Sequence, residues 1–299
     1  MRTRRVAPVS VLHNRTLQGC LLALLAVFSL SLMDALVKYI GAAIPVPQIV
    51  FLRTWVVMVC VLIASACTGR RVTLVTTRPG AHLFRGLMGL LAFLCFFTAV
   101  TQIPLAQAVA ILFAAPLFIA TLSALWLKER VGPRRWFGVL LGFAGVLIIV
   151  RPLGQDFTSG SLLALCAALA YALMMVQTRR MADTESAGSM VLWQALVACL
   201  GSGLLMPFLW QLPSAAELLL VAAVGVLSAV GHYGLSAAYS RAEASLLAPL
   251  DYTAMIWAVS FGYLFWGELP DRYTVAGCAV VIAAGLYVLY RERRAAALA

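Results

Sequence analysis

Three charged side chains, Asp34, Lys38 and Arg53, lie within the apolar stretch LMDALVKYIGAAIPVPQIVFLR, residues 32–53. An isolated charge at the centre of a bilayer costs roughly 2.5–3.5 kcal/mol or more, so such groups persist when they pair or face water. Asp34 and Lys38 have the i, i+4 spacing of an ion pair on one helix face. The three groups predict one polar cluster with a formal charge of +1, which suits an anion such as a carboxylate. A permanent structural ion pair explains them equally well.

A second polar cluster is predicted nearer the other face of the membrane. Arg85 and Asp251 lie there at similar depths, and Pro249 predicts a kink that lines a cavity beside Asp251. Further polar groups lie on several apolar segments, and four of them form a stripe at helical spacing: Ser228, His232, Ser236 and Tyr239, with Gln107, Tyr171, Gln177, Gln194 and Tyr252 elsewhere. Two alternatives stay open, because Arg85 can extend to the membrane surface and His232 can be a packing residue.

The sequence argues against a membrane enzyme. The stretches LGSGLL and VGHYGL imitate the serine and histidine signals of intramembrane rhomboid proteases. Ser202 lies about 21 Å and His232 about 12 Å above the same membrane face, too far apart in depth for a nucleophile and its base. Asp34 and Asp251 lie near opposite faces, and no GxxxxGK[ST] phosphate loop occurs. Seven cysteines without a CxxC motif and three scattered histidines predict no metal site, and we expect no cofactor.

The elements that must position these groups follow from composition. Hydrophobic residues make up 63% of the 299 residues and charged residues only 11%, whereas a soluble domain has about 25% charged residues. The chain is therefore predicted to be an all-α integral membrane protein. A span needs roughly 20 apolar residues. The sequence predicts ten such spans, at about 17–40, 47–67, 81–101, 105–127, 134–151, 160–180, 188–210, 216–240, 245–266 and 272–290.

The basic residues predict the orientation of these spans. The net charge of +11 comes from short basic runs that flank apolar segments, so it indicates membrane flanks rather than nucleic-acid binding. Of 22 Lys and Arg residues, 17 fall on the side of the N-terminus and two, Arg151 and Arg272, on the other side. The positive-inside rule then places both termini in the cytoplasm.

The two halves of the chain resemble each other. Residues 99–142 align without gaps on residues 238–281, and this alignment pairs Glu129 with Glu268. Because five spans is an odd number, the two repeats must enter the membrane from opposite sides. The sequence predicts one five-helix repeat over residues 1–151 and a second, inverted one over 152–299. Inverted repeats are typical of secondary transporters, whose site lies between the halves near the bilayer midplane.

These features together resemble the EamA family of the drug/metabolite transporter superfamily. The resemblance rests on DALVK and PVPQIVFLR in the first two helices and on LKER at the end of the fourth. The family pattern of a basic residue late in helix 1 and another early in helix 2 falls on Lys38 and Arg53. Its acidic end of helix 4, with an echo in helix 9, falls on Glu129 and Glu268, which the resemblance implies as gating residues. Asp34 departs from the Asn or Gly that is commoner in the family.

The resemblance implies bacterial inner-membrane export of amino acids and related metabolites, although other members import vitamins such as riboflavin, or S-adenosylmethionine. It implies a central cavity between spans 1, 3, 4, 6, 8 and 9. On this chain that cavity is lined by Asp34, Arg85, Gln107, Tyr171, His232, Tyr239, Asp251 and Tyr252, with Lys38 beside Asp34 and with Arg53 supporting them from span 2.

The resulting prediction is a secondary transporter that exports amino acids or related small metabolites by alternating access. We expect it to act as a monomer or weak homodimer, and Asp34 is the first candidate for coupling to protons. The alternative within the same class is an importer of a vitamin or nucleoside-like metabolite. The alternative from another class is a passive pore or a scaffold subunit.

Overall fold

A computed structural model describes residues 9–68, 74–126, 133–152, 158–181, 184–242 and 244–296. The regular structure of these residues is entirely α-helical. The helices are, in chain order, α1 Val9–Ile40, α2 Val46–Thr68, α3 Pro79–Gln102, α4 Leu105–Leu112, α5 Ala115–Trp126, α6 Pro133–Val150, α7 Ser159–Met181, α8 Ala187–Gly203, α9 Met206–Leu209, α10 Ala215–Tyr239, α11 Ala244–Asp251, α12 Thr253–Trp266 and α13 Arg272–Ala296.

The described helices include six stretches that are long and apolar enough to cross a membrane. They are Arg15–Ile40, Val46–Cys67, Pro79–Gln102, Leu105–Trp126, Ser159–Met181 and Ala215–Tyr239. Shorter apolar helices follow at Trp136–Val150, Gly188–Gly203 and Arg272–Tyr287. The predicted all-α membrane class is confirmed. The number of ten spans and the cytoplasmic termini stay predictions.

Local sequence signals explain where several helices begin. Pro79 opens α3, where its missing N–H removes no helical hydrogen bond. Ser214 caps α10 through a capping box, in which its hydroxyl accepts from the Glu217 N–H while the Glu217 carboxylate accepts from the Ser214 N–H. Ser186 caps α8 by accepting from the N–H of Ser189. These caps fix the first turns of helices whose apolar residues then continue into the bundle.

Three helical stretches are interrupted, between α4 and α5, between α8 and α9, and between α11 and α12. Pro116 and Pro207 lie in the first turn after the first two breaks and cannot donate a helical hydrogen bond. Under the alignment of residues 99–142 with 238–281, Phe113 at the first break corresponds to Tyr252 at the third. The rings of these two residues contact each other, with centroids 5.2 Å apart.

The helices pack in pairs that match under an exchange of the two halves. Helix α1 packs along α10, and α3 packs along α7 in the same way. Helices α2 and α8 pack against each other, as do α6 and α13. Close approach in the last pair depends on two glycines, because a β-carbon on Gly145 would lie 2.9 Å from the Gly277 carbonyl oxygen. The inverted repeats remain a prediction, and this arrangement agrees with it.

Candidate functional site

An ion pair between Lys38 and Glu268 joins α1 to the segment after α12. The Lys38 ammonium donates to both carboxylate oxygens of Glu268, at 2.6 and 2.7 Å, and to the carbonyl oxygen of Ile103 at 3.0 Å. The N–H of Leu105 donates to the same carboxylate at 3.2 Å. The ammonium also lies 5.1 Å from the centre of the Trp266 ring. Lys38 is buried, and its charge is stabilised by these neighbouring groups rather than by water.

Backbone geometry after α12 places Glu268 for this contact. Gly267 ends the helix in the left-handed conformation, with φ of 67°, which a residue without a β-carbon adopts readily. Its N–H donates to the carbonyl of Tyr263, and the N–H of Glu268 donates to that of Gly262. The bond from Gly267 to Tyr263 is that of an αL C-cap, in which a left-handed residue ends the helix and redirects the chain. The turn leaves the Glu268 side chain directed at Lys38.

The predicted pairing of Lys38 with Asp34 is wrong. The two residues share a helix face, but the long side chain of Lys38 extends to the end of the bundle, where Glu268 and the Ile103 carbonyl take its three N–H donors. A cavity of about 480 Å³ lies at this ion pair. Its lining comes from the ends of three helices and comprises Lys38, Gly41, Ala42, Thr101, Gln102, Ile103, Pro104, Trp266 and Glu268.

Arg53 on α2 lies in a different kind of environment, between Met33 of α1 and two phenylalanine rings of α3. It is 4% exposed, and its guanidinium carbon lies 4.0 Å from the centre of the Phe93 ring and 5.4 Å from that of Phe97. Among the described residues its one hydrogen-bond acceptor is the Met33 sulfur, 3.8 Å from Nη1. The Nε atom is buried without a partner. Burial of a charged donor without an oxygen acceptor is costly, so this group has unused hydrogen-bonding capacity.

Asp34 and His232 lie beside Arg53. Asp34 and His232 each lie near enough to Arg53 to be affected by its charge, yet no hydrogen bond or ion pair within 4 Å links any two of these residues. Asp34 is half-buried and His232 is exposed, although both lie deep among the helices. Their side chains therefore face space inside the bundle. Helix α10 packs against both α1 and α2, which is why His232 joins the group predicted for Asp34 and Arg53.

Arg85 does not join Asp251 or His232, contrary to the predicted second cluster. Its guanidinium donates to the Thr178 hydroxyl at 2.7 Å, to the Met190 carbonyl at 2.8 Å and, more weakly, to Gln194 Oε1 at 3.5 Å. Arg85 is 7% exposed, so extension to the membrane surface is also wrong. Because α3 packs against both α7 and α8, the side chain is enclosed by acceptors from two neighbouring helices.

Three residues of the predicted second cluster do come together. The Tyr239 hydroxyl lies 3.5 Å from Asp251 Oδ2, and Tyr171 lies near enough to interact with the same carboxyl group. Tyr171 is 39% and Tyr239 45% exposed. Tyr171 lies deep in the bundle, so its exposure is to space between the helices. Tyr239 and Asp251 lie towards the end of the bundle opposite Lys38, near the end of α10 and within α11.

Comparison with known proteins decides the class. A model of the EamA-like transporter family matches the chain twice, over residues 17–151 and 158–291. The chain belongs to this family. Among its relatives, a pseudopaline exporter of Pseudomonas aeruginosa is 32% identical over 273 residues, which are 89% of this chain and 94% of the relative. An S-adenosylmethionine uptake transporter of Rickettsia conorii is 28% identical over 272 residues, 91% of this chain and 92% of the relative.

Two further similarities extend over nearly the whole length. A riboflavin transporter of Vibrio cholerae is 28% identical over 290 residues, 96% of this chain and 97% of the relative. A solved crystal structure has a TM-score of 0.66 and 22% identity, and covers 92% of this chain and 98% of its own, which shows a shared fold. The family and these relatives indicate a multi-pass membrane protein that transports small molecules, rather than an enzyme.

Three predicted site residues of this EamA-like transporter remain, Glu129, Gln107 and Tyr252. Glu129 lies outside the described residues. Gln107 donates to the Ser161 hydroxyl at 3.4 Å and so links α4 to α7. Tyr252 packs between helices, since its ring contacts Phe113 and its hydroxyl fills the space where a β-carbon of Gly285 would lie. Whether Gln107 and Tyr252 contact the cargo stays a prediction.

One buried cluster of the EamA-like transporter has no counterpart in the sequence analysis. His82 is buried and stacks on Trp193, with centroids 5.2 Å apart, and its Nε2 lies 3.3 Å from Glu185 Oε2. Thr76 donates to the other oxygen of Glu185 at 2.6 Å. This hydrogen bond is the main cause that lowers the pKa of Glu185, and nearby His82 and Arg78 act in the same direction. No local pattern relates the two segments, so only the fold brings them together.

A last ion pair lies outside the apolar segments. Arg151 Nη2 lies 2.6 Å from Asp271 Oδ2, and the Arg151 guanidinium lies over the Tyr273 ring. Asp271 also caps α13, because its Oδ1 accepts from the N–H of Thr274 at 2.8 Å. Burial raises the pKa of Asp271, but the bonds from Thr274 and Arg151 outweigh burial and the pKa is lowered.

Proposed function

We propose that this EamA-like transporter exports amino acids or related small metabolites across the bacterial inner membrane by alternating access. The observation that carries the proposal is an asymmetry between the two ends of the bundle. At one end the Lys38–Glu268 ion pair connects the first half of the chain to the second. Towards the other end Tyr239 is exposed beside Asp251, while Tyr171 and His232 face space inside the bundle. This is the pattern expected of a carrier closed at one mouth and open at the other.

We further propose ten spans, in which α4 with α5, α8 with α9, and α11 with α12 each form one broken span. Residues 1–151 and 152–299 form inverted halves, both termini are cytoplasmic, and the Lys38 end faces the periplasm. Support comes from the twofold match of the family model, the matching helix pairs and the contact of Phe113 with Tyr252 at corresponding breaks. The protein acts as a monomer or weak homodimer.

Outward transport is supported by the relative that is named as a pseudopaline exporter. Inward transport of a nucleoside-like metabolite or a vitamin is the second candidate. The relatives named for S-adenosylmethionine uptake and as a riboflavin transporter support it. An importer restores growth of an auxotroph at low external vitamin or S-adenosylmethionine, whereas an exporter does not. If growth rescue depends on this chain, the protein imports the compound, and the proposed export is wrong.

Counterflow in liposomes tests the carrier mechanism. Vesicles preloaded with an unlabelled amino acid or S-adenosylmethionine are expected to accumulate the labelled compound transiently and saturably. A passive pore gives ohmic currents without saturation, and a scaffold subunit gives no flux. Either result contradicts alternating access.

The Lys38–Glu268 contact gives a more specific test of alternating access. In a background without cysteines, Lys38→Cys with Glu268→Cys is treated with a short thiol cross-linker that can be cleaved. Cross-linking is expected to stop counterflow, and cleavage to restore it. Lys38→Cys alone, treated identically, is the control. Unchanged flux through the cross-linked protein would show that this end does not need to open.

Proton coupling through Asp34 is a separate part of the proposal. Asp34 is half-buried within the bundle, and burial favours the neutral form of a carboxyl group, which allows it to take up a proton during the cycle. Asp34→Asn is expected to abolish the dependence of transport on a pH gradient across the liposome membrane. Gradient dependence that survives in this variant would remove Asp34 from the coupling step.

A further inference from the structure

The strongest unexplained feature of the molecule is the guanidinium of Arg53. It is 4% exposed, its Nε has no partner, and the Met33 sulfur at 3.8 Å is a weak acceptor. A guanidinium has five N–H donors in one plane. Phe93 lies 4.0 Å from the guanidinium carbon, and the described residues offer these donors no oxygen acceptor. A guanidinium with unused donors can bind a carboxylate through two parallel hydrogen bonds.

The neighbouring acid does not use these donors. Asp34 interacts with Arg53 through its charge but forms no hydrogen bond with it, and Lys38 on α1 is already bonded to Glu268. The acid and the base are therefore close together and separately available. Such an arrangement fits a ligand that brings both a negative and a positive group.

His232 adds a second acceptor near Arg53. Its Nδ1 lies 2.7 Å from the Ser228 carbonyl oxygen, which can only accept, so Nδ1 carries the proton. In the neutral ring Nε2 is then an acceptor, and the described residues offer it no hydrogen bond. The exposed imidazole and the half-buried Asp34 carboxylate thus supply two acceptors for an ammonium group.

We propose that Arg53, Asp34 and His232 form a site for the zwitterionic head of the cargo. Arg53 binds a carboxylate through its unused N–H donors, and Asp34 with His232 receives the adjacent ammonium. The inference rests on the proposed transport function and narrows the cargo to compounds that carry both groups, such as α-amino acids. Phe93 and Phe97 hold the guanidinium in place and keep water from its face.

Binding measurements on the purified full chain test this site. The probes are three zwitterions, L-methionine, L-phenylalanine and S-adenosylmethionine, with the methyl esters of the first two and with riboflavin, which has no carboxylate. In Arg53→Gln the affinity for zwitterions is expected to fall about 10- to 100-fold, the effect of losing charge-assisted hydrogen bonds. The esters lack the carboxylate, so they are expected to bind wild type and Arg53→Gln with the same weak affinity.

Arg53→Lys keeps the charge but loses the planar pair of donors, so an intermediate loss of affinity for zwitterions is expected. This variant takes the place of Arg53→Gln if Arg53→Gln does not fold. Asp34→Asn is expected to weaken zwitterions but not their N-acetyl derivatives, which lack the ammonium. The inference is overturned if no zwitterion binds wild type more tightly than its ester, or if Arg53→Gln weakens ester and zwitterion equally. Saturable riboflavin counterflow that is unchanged in Arg53→Gln would overturn the zwitterion site while leaving the transport function intact.

Discussion

Arg53 and Arg85 are both buried in apolar helices, and the difference between their surroundings separates two uses of an intramembrane charge. Arg85 has three oxygen acceptors from α7 and α8, so its charge is solvated by the protein itself. Arg53 has aromatic faces, a sulfur atom and an acid that does not bond to it. Burial alone therefore does not identify a functional charge. A functional charge is identified instead by hydrogen-bond donors that the protein leaves unused.

The largest effect is expected from Arg85→Gln. The change removes a cation and leaves the Met190 carbonyl and the Thr178 hydroxyl without their donor, and losing a charged partner in a buried site costs about 3 kcal/mol or more. Thermal unfolding in detergent and monodispersity on gel filtration are the measurements. Arg53→Gln is the matched variant, expected to unfold within about 1 kcal/mol of wild type because no oxygen acceptor loses its donor. Equal destabilisation of the two variants would contradict the distinction between a fully bonded Arg85 and an unsatisfied Arg53.

An intermediate effect, on the opening of the bundle, is expected at the Lys38–Glu268 ion pair. Lys38 is a third buried cation among the described residues; all its donors are used, and two of its bonds reach the second half of the chain. Glu268→Gln removes the charge that holds it and is expected to favour opening at this end by about 1–3 kcal/mol, a typical range for biasing a two-state equilibrium. In a cysteine-free background, the labelling rate of Thr101→Cys in the cavity beside Lys38 should rise by about tenfold. An unchanged rate, with Gln102→Cys as a second reporter, would mean that the ion pair supports packing only.

An effect of similar size, at a site without ionised groups, is expected at Gly285. Its replacement by Ala puts a methyl group where the Tyr252 hydroxyl lies, and overpacking of this kind costs about 1–3 kcal/mol. Tyr252→Phe removes the hydroxyl and should restore much of the thermal stability of Gly285→Ala in the double variant. If Tyr252→Phe alone abolished transport with stability intact, Tyr252 would contact cargo as the sequence analysis predicted. Additive losses in the double variant would contradict the packing role.

The smallest effect is expected at Asp271, an exposed counterpart to the buried groups. Its pKa is lowered in the folded protein, so its contribution to stability is present above its ordinary value of about 4 and is lost as the pH falls through the lower, folded value. Because the pair with Arg151 is on the surface, the contribution is about 0.5 kcal/mol. Asp271→Asn should lower the unfolding temperature slightly at pH 7, and the difference should shrink as the pH falls below about 4. A difference that stays constant with pH would mean that the charge of Asp271 is not its cause, since Asn caps a helix about as well as Asp does.

The sequence was sufficient for the helical membrane class, because long apolar segments have few other stable arrangements. It also located the charged groups, since so few lie within those segments. It could not assign their partners. The spacing predicts the acid one turn away as the partner of Lys38, but the partner lies 230 residues along the chain. A lysine side chain is long enough to reach either acid, and the packing of the helices decides between them. His232 was grouped by depth with Asp251, whereas the packing of α10 against α1 and α2 brings it to Arg53.

The left-handed residue at the end of α12 has a consequence for how the carrier could be tuned. Gly267 carries no charge, yet its left-handed backbone conformation sets the direction from which the Glu268 carboxylate meets Lys38. A bulky or β-branched side chain at this position would favour a different turn and direct the acid away from Lys38. In the proposed transport cycle, the stability of the closed Lys38 end can thus be changed through the backbone conformation of one uncharged residue, with every ionisable group left in place.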